Sequence, residues 1–260
     1  MTISMYAGHE RIGGLRSSYS ATGSAGYATG YTLERSRVHA AAIDRSFISR
    51  AHDIDIPPAE QAVKRMLDIV LTLMLVVVLS PVLLTIACLA CLDGGAVLFG
   101  HRRIGTQGKT FTCWKFRTMV LNADKVLEEL LASDPAARAE WEETFKLKRD
   151  PRVTRIGRFL RSTSLDELPQ LLNVLKGEMS LVGPRPIVWD EVKRYGSAFH
   201  DYTRCRPGIT GPWQVSGRND VDYRNRVALD RNYARGWSLA TDVQILWKTF
   251  FVVIKRRGAY

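Results

Sequence analysis

Two adjacent carboxylates, Asp166 and Glu167, are the side chains in this sequence with the clearest capacity for chemistry. They lie at a predicted helix start, because Ser164 and Glu167 have the spacing of a capping box. Pro169 is awkward so early in a helix, so the true start can lie a residue or two away. Gly177 is a natural helix end after an apolar stripe at helical spacing, formed by Leu165, Leu168, Leu171, Leu172 and Leu175. The alternative role of the two carboxylates is only to complement the positive end of the helix dipole.

Cations flank this acidic pair in the sequence. Four arginines recur at three-residue spacing, namely Arg152, Arg155, Arg158 and Arg161. On a helix they would form one stripe that contacts anionic headgroups or a phosphate, and a solvated face is the alternative. Arg185 lies between Pro184 and Pro186, which restrict the backbone, so it would lose little entropy on gripping a bidentate anion such as phosphate. A rigid surface turn with an incidental arginine is the competing interpretation.

Four further cations are candidate substrate-binding residues. Lys115 and Arg117 share one face of a predicted extended segment at residues 111–118, where a solvated edge is the alternative. Arg206 and Arg218 lie in two glycine-rich loops, which can bring backbone N–H groups close to phosphates. Neither loop matches the P-loop or the dinucleotide-binding fingerprint, so this signal is weak by itself.

The net charge is +11, and residues 101–260 carry all of it. A field of this sign attracts polyanions, which can be nucleic acid, anionic lipid headgroups or phosphorylated small substrates. The sequence has no helix-turn-helix, zinc-finger or aromatic RNA-binding signature, so we predict no nucleic-acid partner. The 4 cysteines have neither the arrangement of a disulfide framework nor zinc-site spacing.

Residues 69–92 form an uncharged apolar run that is long enough to cross the hydrocarbon core of a bilayer as a helix. Ser80-Pro81 falls near its middle, where proline removes a backbone hydrogen bond. Both flanks are basic, with Lys64 and Arg65 before the run and further cations after it, which are Arg102, Arg103 and Lys109. Basic flanks favour the cytoplasmic side, so we predict a re-entrant helix that is broken at Ser80-Pro81 and returns to the side it entered. A kinked helix that spans the bilayer is the alternative.

The last apolar pattern lies near the C-terminus. Its members fall on one helical face and are Leu239, Val243, Leu246, Trp247, Phe250, Phe251 and Ile254. This predicts an interfacial amphipathic helix, with a core-packing helix as the alternative. The predicted fold is α+β and mostly helical, with a few short strands. We predict a flexible low-complexity tail at residues 1–60, a re-entrant helix-break-helix at 61–95, and a cytoplasmic catalytic domain at 96–260.

The ordered set of motifs resembles the bacterial polyprenyl-phosphate sugar-1-phosphate transferases, the small monotopic phosphoglycosyl transferases. The motifs are Lys64-Arg65-x-x-Asp68, Ser80-Pro81, KFRTM at 115–119, DPRVT at 150–154, LDELPQL at 165–171, GPRP at 183–186, RPGITG at 206–211 and SGRN at 216–219. Each is weak alone, but their order is specific. Residues 93–95, 100–105 and 257–260 are most similar to exopolysaccharide-initiating undecaprenyl-phosphate galactose phosphotransferases.

The resemblance implies transfer of a hexose 1-phosphate from a UDP-sugar to undecaprenyl phosphate, with release of UMP, on the cytoplasmic face of the bacterial inner membrane. It implies that Asp166 forms a covalent phosphosugar ester, that Glu167 binds Mg²⁺, and that Arg185 and Arg161 hold phosphate oxygens. The basic field should keep Asp166 ionised. Galactose is favoured over glucose by resemblance alone. The remaining partners considered are anionic lipid and a second copy of the chain, and the alternative function is a non-catalytic scaffold of a polysaccharide assembly complex.

Overall fold

A computed structural model describes residues 57–91, 94–144, 147–217 and 221–255. The predicted tail lies almost entirely outside the described residues, as does Arg218. The described chain begins with one long helix, α1 (Pro58–Cys91), of 34 residues. At about 1.5 Å per residue its length is about 51 Å. It is long and apolar enough to cross a membrane by length and composition, and little of its apolar stretch is buried in the protein.

Helix α1 continues through Ser80 and Pro81 without a gap in its helical structure. Pro81 has no N–H to donate to the carbonyl of Val77, four residues earlier. The Ser80 Oγ donates to that carbonyl instead, at 2.8 Å, so the acceptor freed by proline keeps a partner. The predicted break is therefore not an interruption of the helix. The return of the chain to the side it entered stays a prediction.

The N-terminal turns of α1 are tied to the rest of the protein by polar contacts. Lys64 Nζ donates to the carbonyl of Val182 at 3.0 Å and pairs with Asp242 at 2.5 Å. One carboxylate oxygen of the buried Asp68 accepts from the Ser180 hydroxyl and the Leu181 N–H, both at 3.0 Å. The ammonium group of Lys64, one of the basic residues predicted to place the helix relative to the membrane, is thus engaged within the protein.

The neighbouring cation, Arg65, is engaged in the same way. Its two terminal nitrogens donate to the carbonyls of Val174 and Leu175, at 2.6 and 2.9 Å. Both residues of the basic flank therefore dock the N-terminal turns of α1 onto the rest of the protein.

The C-terminal half of α1 packs on the same globular part. Ile86 is buried with Phe116 and Leu160, and the partly buried Leu165 and Leu168 pack against this cluster. Both halves of the long helix therefore contact one body of protein, while its middle and outer face expose apolar side chains.

Four short strands form two small sheets. Strands β1 (Leu98–Ile104) and β2 (Thr110–Phe116) make an antiparallel hairpin in which Phe99 faces Lys115 and His101 faces Cys113. Strands β3 (Ser180–Val182) and β4 (Gly208–Thr210) pair in parallel. The remaining described helices are α2 (Ala123–Ser133), α3 (Pro135–Thr144), α4 (Arg155–Thr163), α5 (Gln170–Lys176), α6 (Trp189–Tyr195), α7 (Ala198–Arg204), α8 (Tyr223–Arg235) and α9 (Leu239–Lys255). The prediction of a mostly helical α+β protein with few strands is confirmed.

Helix α9 packs on the protein, as a core helix does, and also exposes an apolar face, as an interfacial amphipathic helix does. Its inner face carries Asp242 and Ile245, which are buried. Its outer face exposes four apolar side chains, those of Val243, Trp247, Phe250 and Phe251. The three aromatic rings contact one another, with centroids 5.0 to 6.4 Å apart. The helix packs on the protein and also presents an aromatic surface outward.

Candidate active site

The acidic pair lies in a tight connection between two helices. Helix α4 ends at Ser164, whose φ of 59° is left-handed and whose N–H closes the last turn. A single 3-10 turn, Leu165–Glu167, follows and carries both carboxylates. Helix α5 begins only after Pro169, at Gln170. Proline fits the end of a turn better than a helix interior, which explains the displaced start.

The predicted capping box is wrong. The Ser164 side chain makes no capping hydrogen bond, and the Glu167 side chain turns towards Lys115. The predicted end at Gly177 is confirmed, since this residue has a φ of 83° and caps α5. The left-handed Ser164 redirects the chain after α4, and this presents Asp166 on a turn instead of along a helix.

Asp166 is buried, with a relative exposure of 8%. Burial and the adjacent Glu167 raise the pKa of Asp166 to about 6, while Lys115 and Arg161 oppose the rise. The sequence predicted that a basic field would favour the ionised form. The two cations do act in that direction, but removal from water outweighs them. The carboxylate is still mostly ionised at neutral pH.

Glu167 forms an ion pair with Lys115, whose Nζ lies 2.6 Å from Oε1. Burial opposes ionisation of Glu167, but the nearby Lys115 and Arg185 hold its pKa below the ordinary value. The two adjacent carboxyl groups thus have pKa values shifted in opposite directions. Such divergence between neighbouring carboxyls is typical of groups with different chemical roles.

A small pocket opens beside this turn. Its lining combines cations, one carboxylate and several amide or apolar groups, and consists of Arg103, Cys113, Lys115, Glu167, Gln170, Arg185, Pro186, Gly208, Ile209 and Gln214. Glu167 lines the pocket, and its sequence neighbour Asp166 is not one of the lining residues. The pocket therefore brings together Lys115, Glu167 and Arg185 from three distant parts of the sequence.

Arg185 reaches the pocket from a loop held by close backbone packing. The Gly208 N–H donates to the Pro184 carbonyl at 2.8 Å, and the Gly183 N–H donates to the Thr210 carbonyl at 3.0 Å. A Cβ at Gly208 would collide with the backbone of Gly183. These glycines allow two loops to touch, and the two N–H groups are engaged by protein carbonyls instead of facing a phosphate. The Arg185 guanidinium lies 5.6 Å from the ring centroid of Trp213.

Three of the other predicted substrate-binding cations lie outside this pocket. Arg161 donates to the Thr118 hydroxyl at 2.9 Å, on the α4 side of Asp166. Arg117 donates to the Ala90 carbonyl at 2.9 Å, near the end of α1. Arg206 donates to the Gly177 carbonyl at 3.1 Å, at the end of α5. Arg117 and Arg206 thus bind helix-terminal carbonyls, and Arg218 lies outside the described residues.

Sequence reasoning missed four polar pocket residues, which are Arg103, Cys113, Gln170 and Gln214. The first of them, Arg103, is identified by the register of the hairpin. In the β1–β2 hairpin Phe99 pairs with Lys115, and Arg103 is four residues from Phe99, so it lies on the same face as Lys115. Register was needed for that inference, and no pattern in the sequence fixes it.

The donor groups around the acidic pair bear on the predicted Mg²⁺. Among the described residues there is no group of three or more His, Cys, Asp or Glu side chains that could hold a metal. Mg²⁺ is commonly bound by one or two carboxylates together with substrate phosphates. Asp166 and Glu167 provide that minimal set, with Lys115 now neutralising Glu167. The residues fit magnesium only when phosphate oxygens of a substrate complete the coordination.

Residues 59–256 match the family model for bacterial sugar transferases. The chain belongs to this family, which confirms the resemblance seen in its motifs.

Individual relatives narrow the comparison. The chain is 57% identical over 197 residues to the undecaprenyl-phosphate galactose phosphotransferase of Salmonella typhimurium, which covers 76% of this chain and 41% of the relative. It is 53% identical over 198 residues to the exopolysaccharide production protein ExoY of Sinorhizobium fredii, covering 76% and 88%. It is 38% identical over 219 residues to the UDP-glucose:undecaprenyl-phosphate glucose-1-phosphate transferase of Escherichia coli, covering 80% and 44%. The chain thus spans about two fifths of the length of the first and third of these relatives.

Proposed function

We propose that this protein transfers a hexose 1-phosphate from a UDP-sugar to undecaprenyl phosphate and releases UMP, as the first membrane step of exopolysaccharide repeat-unit synthesis. The observation that carries the proposal is the buried Asp166, adjacent to the Glu167–Lys115 ion pair at a pocket that also contains Arg185. Galactose is the preferred sugar because a galactose phosphotransferase is 57% identical, whereas a glucose-1-phosphate transferase is 38% identical.

The proposed reaction has two displacements at phosphorus. In the first, an Asp166 oxygen bonds to the sugar-linked phosphorus and the bond from that phosphorus to UMP breaks. In the second, a phosphate oxygen of the lipid bonds to the same phosphorus and the Asp166 ester breaks, which restores the carboxylate. A covalent intermediate divides the encounter of two mutually repelling phosphate compounds into two steps.

The side chains around Asp166 have distinct proposed tasks. Lys115 and Arg161 favour its ionised, nucleophilic form. Arg185 binds phosphate oxygens from a rigid loop. Magnesium held by Glu167 and the diphosphate oxygens would offset the charge that builds on departing UMP.

Membrane placement follows from the same site. The acceptor stays in the bilayer, so Asp166 must lie at headgroup level. Leu165 and Leu168, on either side of the acidic pair, pack against the apolar cluster that contains Ile86 of the long helix. Since both halves of α1 contact one body of protein, a re-entrant path on the cytoplasmic face of the inner membrane accounts for the arrangement better than a straight span. The exposed Arg155 and Arg158 would contact anionic lipid.

A rapid-quench experiment tests the chemistry. Detergent-solubilised protein is mixed with radiolabelled UDP-galactose and magnesium, without acceptor, and label on the protein is located by peptide mapping. We expect label on Asp166 and stoichiometric UMP, with no label on Asp166→Asn. Direct attack by the lipid phosphate would give no labelled protein, and a scaffold would keep its cellular function in Asp166→Ala. A panel with UDP-glucose, UDP-GlcNAc and UDP-GalNAc then defines the sugar.

Cysteine labelling tests the topology. Two exposed residues, Glu60 in the first turn of α1 and Lys109 beyond its C-terminal end, are each replaced by cysteine. The substitutions Cys88→Ser and Cys91→Ser first remove the exposed native thiols. Inverted vesicles expose the cytoplasmic face of the inner membrane on their outer surface. A membrane-impermeant maleimide should therefore label both positions in inverted vesicles and neither position in right-side-out vesicles. Labelling of the two positions from opposite sides would replace the re-entrant helix by a spanning one.

A further inference from the structure

We infer that Arg103 is a second arginine for the donor diphosphate, acting beside Arg185 in the pocket; the inference rests on the proposed function and identifies a residue that binds the UDP moiety. Arg103 is in β1, and its side chain lines the pocket at a relative exposure of 16%. It comes from a different element than Arg185, so the two guanidinium groups converge only in the folded protein.

The Arg103 guanidinium is anchored on one side. Its Nη1 donates to the Pro186 carbonyl at 3.3 Å and lies 3.7 Å from a carboxylate oxygen of Glu191. Among the described residues, its other guanidinium nitrogens have no hydrogen-bond acceptor, and they are not sealed from solvent. A partly buried arginine with one anchored nitrogen and free N–H groups beside a pocket can bind a second acceptor that enters the pocket.

Glu191 orients Arg103 more than it neutralises it. Its Oε2 accepts from the Val188 N–H at 3.0 Å, and its Oε1 accepts from the Tyr223 hydroxyl at 3.4 Å. The carboxylate is therefore shared among several donors, and the 3.7 Å separation from Arg103 is longer than a hydrogen bond. Much of the positive charge of Arg103 remains available to a ligand.

The charge in the pocket matches a diphosphate. Its lining has three cations, Arg103, Lys115 and Arg185, against one carboxylate, Glu167. Burial and repulsion from Arg185 both lower the pKa of Arg103, because two guanidinium groups are held close together. The diphosphate of a UDP-sugar carries two negative charges, which equal the excess positive charge of the lining. An anion of this kind would relieve the repulsion, and planar guanidinium groups suit its paired oxygens.

The neighbouring Arg102 provides a matched control. It is on the opposite face of the same strand, and its Nη2 donates to the exposed Thr110 hydroxyl at 2.8 Å. Arg102→Gln and Arg103→Gln change the net charge equally and differ by one position. A general effect of charge would therefore be the same in both variants.

The experiment measures binding of UDP by isothermal titration to the full detergent-solubilised chain, together with KM and kcat for UDP-galactose. We expect Arg103→Gln to bind UDP about 10- to 100-fold more weakly, in line with the loss of a charge-assisted hydrogen bond, and Arg102→Gln to bind within about twofold of the wild type. Arg103→Lys keeps the charge but not the fork, so it should fall between Arg103→Gln and the wild type.

Each outcome discriminates. Equal UDP affinity of Arg103→Gln and wild type would overturn the role of Arg103 while leaving the proposed function intact. A wild-type protein that neither binds UDP nor releases UMP would overturn the proposed function itself. Circular dichroism checks folding, and if Arg103→Gln does not fold, Arg103→Lys decides the question, since wild-type affinity in that variant contradicts the inference.

Discussion

Lys115 Nζ lies 2.6 Å from Glu167 Oε1 and thereby joins the β1–β2 hairpin to the turn that carries Asp166. The two residues are 52 positions apart in the sequence, so only the fold creates the pair. Its charge acts on both carboxylates, since Lys115 holds the pKa of Glu167 down and opposes the rise in the pKa of Asp166. The ionisation of the acidic pair thus depends on this lysine.

Lys115→Met should reduce activity and move the acidic limb of the pH–rate profile to higher pH. Without Lys115, burial and Glu167 would raise the pKa of Asp166 further above its present value of about 6, opposed only by Arg161. Less of the carboxylate would be ionised at pH 7, and we expect a loss of at least about tenfold in kcat. The measurement is UMP release from pH 5 to 9.

Lys125→Met is the matched control for that substitution. Lys125 is 73% exposed and pairs only loosely with Glu129, at 3.8 Å on the same helix. Such exposed pairs contribute little, so activity and pH profile should stay unchanged. An acidic limb that is the same in Lys115→Met and in wild type would contradict the role of Lys115.

Asp166→Asn should abolish transfer yet stabilise the fold at neutral pH. The pKa of buried Asp166 is about 6 and the ordinary value is 3.8, so the folded protein binds the proton more tightly than the unfolded chain. The stability that protonation provides is complete below about pH 4 and is lost as the pH rises through 6. The neutral amide avoids that loss, which is at most on the order of 3 kcal/mol for a shift of this size.

Thermal unfolding at two pH values checks this prediction. Asp166→Asn should have a higher Tm than wild type at pH 7.5. The difference should shrink as the pH falls through 6 and approach zero below about pH 3, where Asp166 is protonated in both the folded and the unfolded state. Glu167→Gln should behave in the opposite way, because the pKa of Glu167 is lowered and its ionised form stabilises the fold. A Tm of Asp166→Asn below that of wild type at pH 7.5 would show that the ionised carboxylate of Asp166 does not destabilise the fold.

The acidic pair, Lys115 and Arg185 could be selected from the sequence because residue type and local restraint were informative. The contacts that Arg117, Arg206, Lys64 and Arg65 make inside the protein could not be predicted from the same kind of signal. Substrate phosphates and backbone carbonyls both accept hydrogen bonds from lysine and arginine, so a cation in a motif can bind either one. Which of them it meets depends on contacts between distant segments, as when Arg65 reaches the carbonyl of Val174.

Sequence spacing alone also gave wrong predictions where a second residue competed for the same group. Ser164 and Glu167 satisfy the capping-box spacing, but Pro169 moves the start of α5 and Lys115 takes the Glu167 carboxylate. A charged partner forms a stronger hydrogen bond than a free backbone N–H. Arg152 shows the same effect, since its side chain pairs with Asp150 before α4 begins and so leaves the predicted arginine stripe.

Gly208→Ala should destabilise the loop that positions Arg185. A Cβ at Gly208 would collide with the backbone of Gly183, and backbone cannot rotate away as a flexible side chain can. We expect a loss of more than about 2 kcal/mol in the free energy of unfolding. We also expect a weaker affinity for UDP, because the displaced loop carries Arg185. Chemical denaturation followed by tryptophan fluorescence measures the first quantity.

Gly236→Ala is the control for that glycine substitution. Gly236 caps α8 with a φ of −114°, and an added Cβ would meet only the Asn232 carbonyl, at 3.4 Å. The variant should be within about 1 kcal/mol of wild type. Equal stabilities of Gly208→Ala and Gly236→Ala would mean that the contact between the two loops is not required.

The outer face of α9 should enter the membrane interface when the protein is bound to vesicles. Trp247 is 66% exposed, and with Phe250 it forms part of an aromatic surface that water does not favour. Lys248 is also exposed but points to a different side of the same helix, since consecutive residues are about 100° apart. A polarity-sensitive fluorophore on Phe250→Cys, in the Cys88→Ser and Cys91→Ser background, should therefore shift to the blue on addition of anionic vesicles and be quenched by brominated lipid. The same fluorophore on Lys248→Cys should remain in a water-like environment.

Two outcomes would contradict this prediction. If both positions respond equally, the helix is immersed without a preferred face. If neither position responds, the aromatic surface is directed away from lipid, and the placement of Asp166 at headgroup level loses this support.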